Sequence, residues 1–249
     1  MLNIVLPIAG RGSRFADAGY TVPKPLIPVH GRPMIDTVVR NVRPSCAHRF
    51  VFVALREHLE RLGMREALEQ AAPGSVVVPV DAVTEGAACT VLLAREYIDS
   101  NDALMLANSD QWVDVAIDQY LATMDRDGAD GLIMTMQADD PKWSFVGLDA
   151  QGFVTRVVEK EVISNEATVG IYNFRHGADF VRAAEQMVAK GLRVNNEFYV
   201  APVYNELIGS GARISIHNVG REGSGMYGLG IPADLDQFLS NPVSLKAAA

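Results

Sequence analysis

The sequence predicts an α/β fold: a mixed, mostly parallel sheet flanked by helices, with a small added β-rich lobe. Two observations predict it. Short apolar runs alternate with helix-patterned segments through the first half, as expected of parallel strands joined by crossover helices. After residue 131 the rhythm changes to closely spaced strand-like runs, parted by turn residues such as "DAQG". No low-complexity linker and no internal repeat interrupts the chain, which reads as a single domain.

In order, residues 4–8 read as a buried first strand, followed by the glycine-rich loop "AGRGSRF". Residues 34–42 read as a helix with Pro33 at its first turn, where a missing N–H costs nothing. A strand over 49–55 precedes a helix over 57–71. Residues 75–80 form a third strand, 86–98 a second long helix and 102–108 a fourth strand. The second half offers strands at 131–137, 143–148, 153–160 and 167–174, then helices at 177–190 and 197–209. A strand over 212–219 and a helix after Pro232 complete the set, with "SLKAAA" read as a loose tail.

Composition narrows the function. The chain has 249 residues, 49% of them hydrophobic and 21% charged, which supplies an ordinary globular core. A net charge of −8 argues against a broad nucleic-acid footprint, though a local basic patch can still hold phosphates. Two cysteines, Cys46 and Cys89, make neither a disulfide framework nor a metal-ligand spacing, so a reducing cytoplasmic setting is expected. No apolar run reaches the roughly 18 residues a membrane span needs. The apolar start "LNIVLPIA" lacks both a positively charged leader and a small-residue cleavage site. Five scattered histidines show no ligand spacing, and neither a Gly-x-Ser-x-Gly turn nor a His-Glu-x-x-His pair occurs.

The chemistry concentrates in "GRGSRF…PKPLIPVHGRPMI". Gly10 and Gly12 permit backbone angles and close approaches that a β-carbon forbids, and successive free N–H groups in such a loop make an anion nest. Taken alone, Gly-x-Gly is also a tight surface turn. The P-loop string is absent, and the dinucleotide fingerprint is only half met, because Phe15 stands where its third glycine belongs. Arg14 adds a permanent planar cation suited to phosphate oxygens. Lys24 lies between Pro23 and Pro25, which are expected to hold it extended and to aim its charge. The plainer alternatives are a solvent-facing lysine or a Pro-x-x-P ligand, against which the apolar "LIPV" argues. Asp110, just past an apolar strand, is either a hard-cation ligand or a helix cap. In an open α/β sheet both the glycine loop and "NSD" would lie beyond the carboxyl ends of strands, where ligands bind.

These strings resemble the first motif of the nucleoside-triphosphate transferase family, the sugar-phosphate nucleotidyltransferases or pyrophosphorylases, and further matches extend over almost the whole chain. The resemblance implies a Rossmann-like fold and a reaction joining an NTP to a phosphorylated substrate with release of pyrophosphate, assisted by Mg²⁺. It implies a nucleotide-binding half over 1–130, a substrate-binding half over 131–240 and a tail over 241–249. Ala9, Gly10, Gly12 and Ser13 would hold nucleotide phosphates, with Arg14 and Lys24 catalytic and Asp110 the metal ligand. "VTEGAACT" resembles the nucleobase-contacting segment, with Gly86 and Ala87 letting the base approach; unaided, it is a small-residue helix start. "VVEKEV" resembles the Glu-Lys motif, with Glu159 and Lys160 binding substrate, whereas "EKE" alone is a solvated charge run. Gly170 and Glu197 are further substrate-binding candidates, and Trp143 and Tyr199 could line the pocket or fill the core.

One departure stands out. Where many members carry a second metal-binding aspartate in "D-x-G-T", this chain has "YGLGIPADLDQF", and Gly228 occupies the aspartate's place. Asp234 and Asp236 follow, in the helix expected after Pro232. Ser144 stands where many sugar-specific relatives show glycine, which points to a different acceptor pocket. The leading expectation is transfer to a sugar 1-phosphate, supplying a precursor for surface polysaccharide. The alternatives are a cytidylyltransferase for a non-sugar phosphate such as phosphocholine, or a nucleotide-binding module without catalysis. A glycosyltransferase of related fold ranks last, since the string around Asp110 is "NSDQ", with no Asp-x-Asp there.

Overall fold

A computed structural model of the protein describes residues 1–248. Strand β1 (Leu2–Ile8) leads into helix α1 (Ser13–Asp17), the two-stranded ribbon β2 (Pro28–Val29) and β3 (Arg32–Pro33), helix α2 (Met34–Asn41) and strand β4 (His48–Leu55). Helices α3 (Arg56–Arg61) and α4 (Met64–Ala71) precede β5 (Val76–Val80), and α5 (Ala87–Leu92) and α6 (Arg95–Ile98) precede β6 (Ala103–Ala107). Next come β7 (Gln111–Val113), α7 (Ile117–Arg126), β8 (Gly131–Gln137), the hairpin β9 (Ser144–Leu148) and β10 (Val154–Glu159), and β11 (Glu166–Phe174). The remaining elements are α8 (Gly177–Ala189), α9 (Tyr204–Gly209), β12 (Ile214–Glu222), β13 (Gly225–Gly228), α10 (Pro232–Ser240) and α11 (Val243–Ala248).

One sheet of eleven strands runs in the order β5-β4-β1-β6-β11-β8-β12-β13-β7, with the β9–β10 hairpin joined to β11 off this path. It is mixed and mainly parallel: β5, β4, β1 and β6 run one way, and β8, β12 and β13 are parallel to one another. β11 is antiparallel to both β6 and β8. Central strands are buried on both faces, which explains their unbroken apolar runs. In β1, Ile4, Leu6 and Ile8 enter one core layer with Met34, Ile35, Val38 and Val39 of α2. Val5 enters the other layer with Val91 of α5 and Phe180 of α8. Each such fully buried side chain contributes roughly 1.5–3 kcal/mol.

The structure corrects several expected elements. The 57–71 helix breaks at Gly63, whose φ of 72° a helix interior does not accept. The 86–98 helix is parted at Leu93 and Ala94. The helix expected from 197 begins only at Tyr204, after a 3₁₀ turn at Ala201–Val203, because the Phe198 backbone is paired elsewhere. Lys24 is not extended: it opens a 3₁₀ turn, Lys24–Leu26, closed by Leu26 N–H on the Pro23 carbonyl at 2.8 Å. The presumed loose tail is α11, whose Ser244 is buried and hydrogen-bonded to His30 Nε2 at 2.8 Å.

Candidate active site

β1 and β6 are parallel neighbours, so the segments following them, 9–12 and 108–110, emerge at the same edge of the sheet. Ala9 is buried, while Gly10, Ser13 and Arg14 are exposed there. Gly12 adopts the left-handed conformation, φ 64°, and a β-carbon on it would stand 3.2 Å from Lys24 Cβ. The glycine therefore lets the lysine stem lie directly under the loop. Lys24 Nζ then donates to Asp110 Oδ2 at 2.9 Å, across 86 residues of chain. Loop, lysine and aspartate are one constellation.

The 228–230 segment completes it. Leu229 N–H donates to the Asp110 carbonyl at 2.7 Å, and a β-carbon on Gly230 would lie 3.0 Å from Asp110 Oδ2. At Gly228 the space for a side chain is bordered by Asp234, whose Oδ2 lies 3.1 Å from where the β-carbon would be. Asp234 does sit in a helix, as expected, but in the first turn of α10, from which its carboxylate still leans over Gly228. Burial pushes the Asp234 carboxyl up, helped by Glu222 and Asp110 and opposed by Lys142 and Arg14. Helix membership alone does not fix which way a first-turn side chain such as Asp234 leans.

A second group forms at the end of β10. Glu159 is buried and accepts a short hydrogen bond from Ser144 Oγ. Burial raises its carboxyl, Ser144 and Lys160 pull it back, and Glu197 adds to the rise. Lys160 has φ 58°, a strained backbone for a non-glycine of the kind that collects at functional sites. Its ammonium lies 5.2 Å from the Tyr199 ring centroid, and the hydrogen bond to Tyr199 raises its pKa. Trp143 lies beside this group, its carbonyl accepting from Lys160 N–H at 3.0 Å and its indole N–H buried without a protein partner.

Two further glycines are packed tightly against other segments of the chain. A β-carbon on Gly86 would stand 2.5 Å from the Phe198 carbonyl oxygen, and the two segments are stitched by Phe198 N–H to Glu85 O at 2.7 Å and Ala88 N–H to Phe198 O at 3.0 Å. The space at Gly86 is thus taken by the chain itself, and Ala87, next to it, opens α5. Gly170, φ 82°, leaves room for the Asn108 side chain, and its carbonyl accepts from Asn108 N–H at 2.9 Å. Among the described residues, no hydrogen bond or ion pair runs directly from the Lys24–Asp110 pair to Glu159 or Lys160.

Asp110 and Asp234 offer carboxylate oxygens, the donors Mg²⁺ prefers. Among the described residues, no group of three or more His, Cys, Asp or Glu side chains is arranged to hold a metal. Mg²⁺ commonly takes one or two carboxylates and fills its shell with phosphate and water, so the donor set fits that ion.

Comparison with known proteins places the chain. The mannose-1-phosphate guanylyltransferase catalytic subunit beta of Danio rerio is 27% identical over 179 residues, covering 70% of this chain and 49% of that protein. The bifunctional protein GlmU of Burkholderia multivorans is 32% identical over 162 residues, 64% of this chain and 34% of its own length. The chain thus spans about half of the first relative and about a third of the second. Among solved structures, a nucleoside-diphosphate-sugar pyrophosphorylase from Vibrio cholerae RC9 matches with a TM-score of 0.79 at 27% identity, over 96% of this chain and 100% of that one. The sequence model for nucleotidyl transferases matches residues 3–198, from the first strand to the Phe198 joint, and the chain belongs to the nucleotidyl transferase family.

Proposed function

We propose that this protein transfers a nucleotidyl group from an NTP to a phosphorylated small molecule, a sugar 1-phosphate first among them, releasing pyrophosphate. The observation that carries this reading is the contact chain Gly12–Lys24–Asp110, in which the glycine loop, a lysine and a carboxylate are neighbours. An acceptor phosphate oxygen forms a bond to the α-phosphorus while the α–β bridging bond breaks, and the pyrophosphate departs with that electron pair. Such transfers are governed by positioning and charge stabilisation. The loop N–H groups and Arg14 hold the departing pyrophosphate, and Lys24 faces the charge that develops at the reacting phosphates. Mg²⁺, held by Asp110, would supply further neutralisation of phosphate charge. Residues 1–130 bear the nucleotide, with Ala87 at the base and Gly86 packing that segment against the Phe198 backbone; Glu159, Lys160, Gly170 and Glu197 of the second half bear the acceptor. A cytoplasmic precursor for surface polysaccharide is the product we favour. No helix among the described residues is long and apolar enough to cross a membrane.

The test is pyrophosphate release across a grid of five NTPs against sugar 1-phosphates, phosphocholine and phosphoethanolamine, with Mg²⁺ present and Asp110→Asn as the blank. One bright combination, dark in the blank, is the expected result. A grid dark throughout, with nucleotide still stabilising the fold, overturns catalysis in favour of a binding module. The Ser144–Glu159 hydrogen bond favours one second reading, a non-sugar acceptor, because it engages the carboxylate expected to hold acceptor hydroxyls. Activity confined to the phosphocholine or phosphoethanolamine columns would establish it.

A further inference from the structure

We propose that Asp234, on the first turn of α10, is the second carboxylate of the cation site, acting from the place that a side chain at residue 228 would otherwise fill. This rests on the metal-dependent reading above and specifies it. Gly228 and Gly230 flank Leu229, and each missing side chain is matched by a carboxylate oxygen. Asp234 Oδ2 lies 3.1 Å from the β-carbon position of Gly228, and Asp110 Oδ2 lies 3.0 Å from that of Gly230. Leu229 N–H bonds the Asp110 backbone at 2.7 Å, so the segment is fixed against one of the two aspartates. The other is delivered by helix α10, whose N-terminal Pro232 sets the turn just ahead of it.

Charge balance gives the reason a second carboxylate matters. Lys24 already holds Asp110 Oδ2 at 2.9 Å. That contact offsets much of the field a lone Asp110 offers a dication. A second carboxylate restores net negative charge, and ligand charge count is what tunes the affinity of oxygen sites for hard cations. Asp234 has no hydrogen-bond or ion-pair partner of its own among the described residues, whereas neighbouring Glu222 is taken by Lys142 at 3.2 Å. The family pattern at 228 and the helix residue at 234 are thus alternative sources for one carboxylate, and glycine at 228 is what lets the helix residue reach in.

The test is binding of Mn²⁺, an oxygen-preferring stand-in for Mg²⁺, followed by the electron paramagnetic resonance signal of the free ion, with no nucleotide present. Five proteins are compared: the natural chain, Asp110→Asn, Asp234→Asn, Asp236→Asn and the double variant Gly228→Asp/Asp234→Ala. In the double variant the new β-carbon meets the residue-234 β-carbon at 3.5 Å, an ordinary contact. Asp234→Asn is expected to weaken Mn²⁺ by at least about tenfold, the scale seen when even a supporting partner of a metal ligand is removed. The exposed Asp236→Asn should bind as the natural chain does. The double variant should recover most of the loss, which a merely structural role for Asp234 would not predict, and thermal unfolding reports whether each variant is folded. Unchanged Mn²⁺ binding in Asp234→Asn, with loss in Asp110→Asn, overturns the proposal and leaves the metal-dependent reading standing. Unchanged binding in both overturns the proposal together with the metal role of Asp110. A loss in Asp234→Asn that the folded double variant does not recover also overturns it.

Discussion

Lys24 Nζ and Asp110 Oδ2 meet at 2.9 Å, and their side chains are only 20% and 31% exposed. The pair is therefore not an ordinary surface ion pair, whose value is near zero. Each partner fixes the other at the edge where β1 and β6 end. Because the two act as a unit, their losses should not add. Lys24→Met and Asp110→Asn should each lower kcat for pyrophosphate release by about 10²–10³-fold, the scale of removing one preorganised charge-stabilising group. The double variant should fall little further than the worse single one. Losses that multiply in steady-state assays would show that lysine and aspartate work independently.

Two glycines separate structural from functional need. Gly86, φ 122°, has the Phe198 backbone 2.5 Å from its β-carbon position, so Gly86→Ala must open the joint or strain the chain. Overpacking of this kind costs about 1–3 kcal/mol, and urea unfolding should report at least that. Gly10 has nothing within 4 Å of the same position. Gly10→Ala should stay within about 0.5 kcal/mol of the natural stability, as expected of an open surface site. A fall in its activity at unchanged stability would then support the phosphate-binding role proposed for the loop.

The fold was legible where burial on both faces writes a continuous apolar run, as in "NIVLPI" or "ALMLA", and where glycine and proline punctuate it. The strands Gln111–Val113 and Gly225–Gly228 were not, since three or four residues carry no periodicity and their pairing is a backbone matter. Helix α7 was legible in principle: Ile117, Tyr120, Leu121 and Met124 recur at helical spacing. The glycine loop, Lys24 and Asp110 could be named as separate candidates because their residue types suit phosphate and cation. That Lys24 would pair with Asp110, that Gly86 would be spent on Phe198, and that Asp234 would lean over Gly228 depend on contacts between distant segments. No local pattern encodes those.

At the site proposed for the acceptor, Lys160 rests over Tyr199 at 5.2 Å from the ring centroid. The ring and its hydroxyl hold the ammonium in place, and a cation over an aromatic face is worth about 0.5–2 kcal/mol. Tyr199→Leu should therefore raise the acceptor KM by roughly 2- to 30-fold on that scale. The NTP KM should be unchanged and kcat nearly so. A change confined to kcat would move Tyr199 out of acceptor binding.

Glu159 provides the pH dependence. Its folded carboxyl lies above the ordinary value, chiefly through burial, so the folded chain holds the proton more tightly than the unfolded chain. Stability from this group is full below the unfolded carboxylate pKa and is lost as pH rises through the folded one. Ser144 Oγ–H donates to the ionised form and so limits that loss. Ser144→Ala should push the Glu159 titration further up, as followed by carboxyl-carbon NMR. Its stability deficit against the natural chain should be small in acid and grow to a plateau above the folded pKa. Glu159→Gln should flatten this pH slope with either residue at 144, because no charge is then left to bury. Parallel stability curves for the natural chain and Ser144→Ala, at every pH, would mean that the hydroxyl does not stabilise the ionised carboxylate.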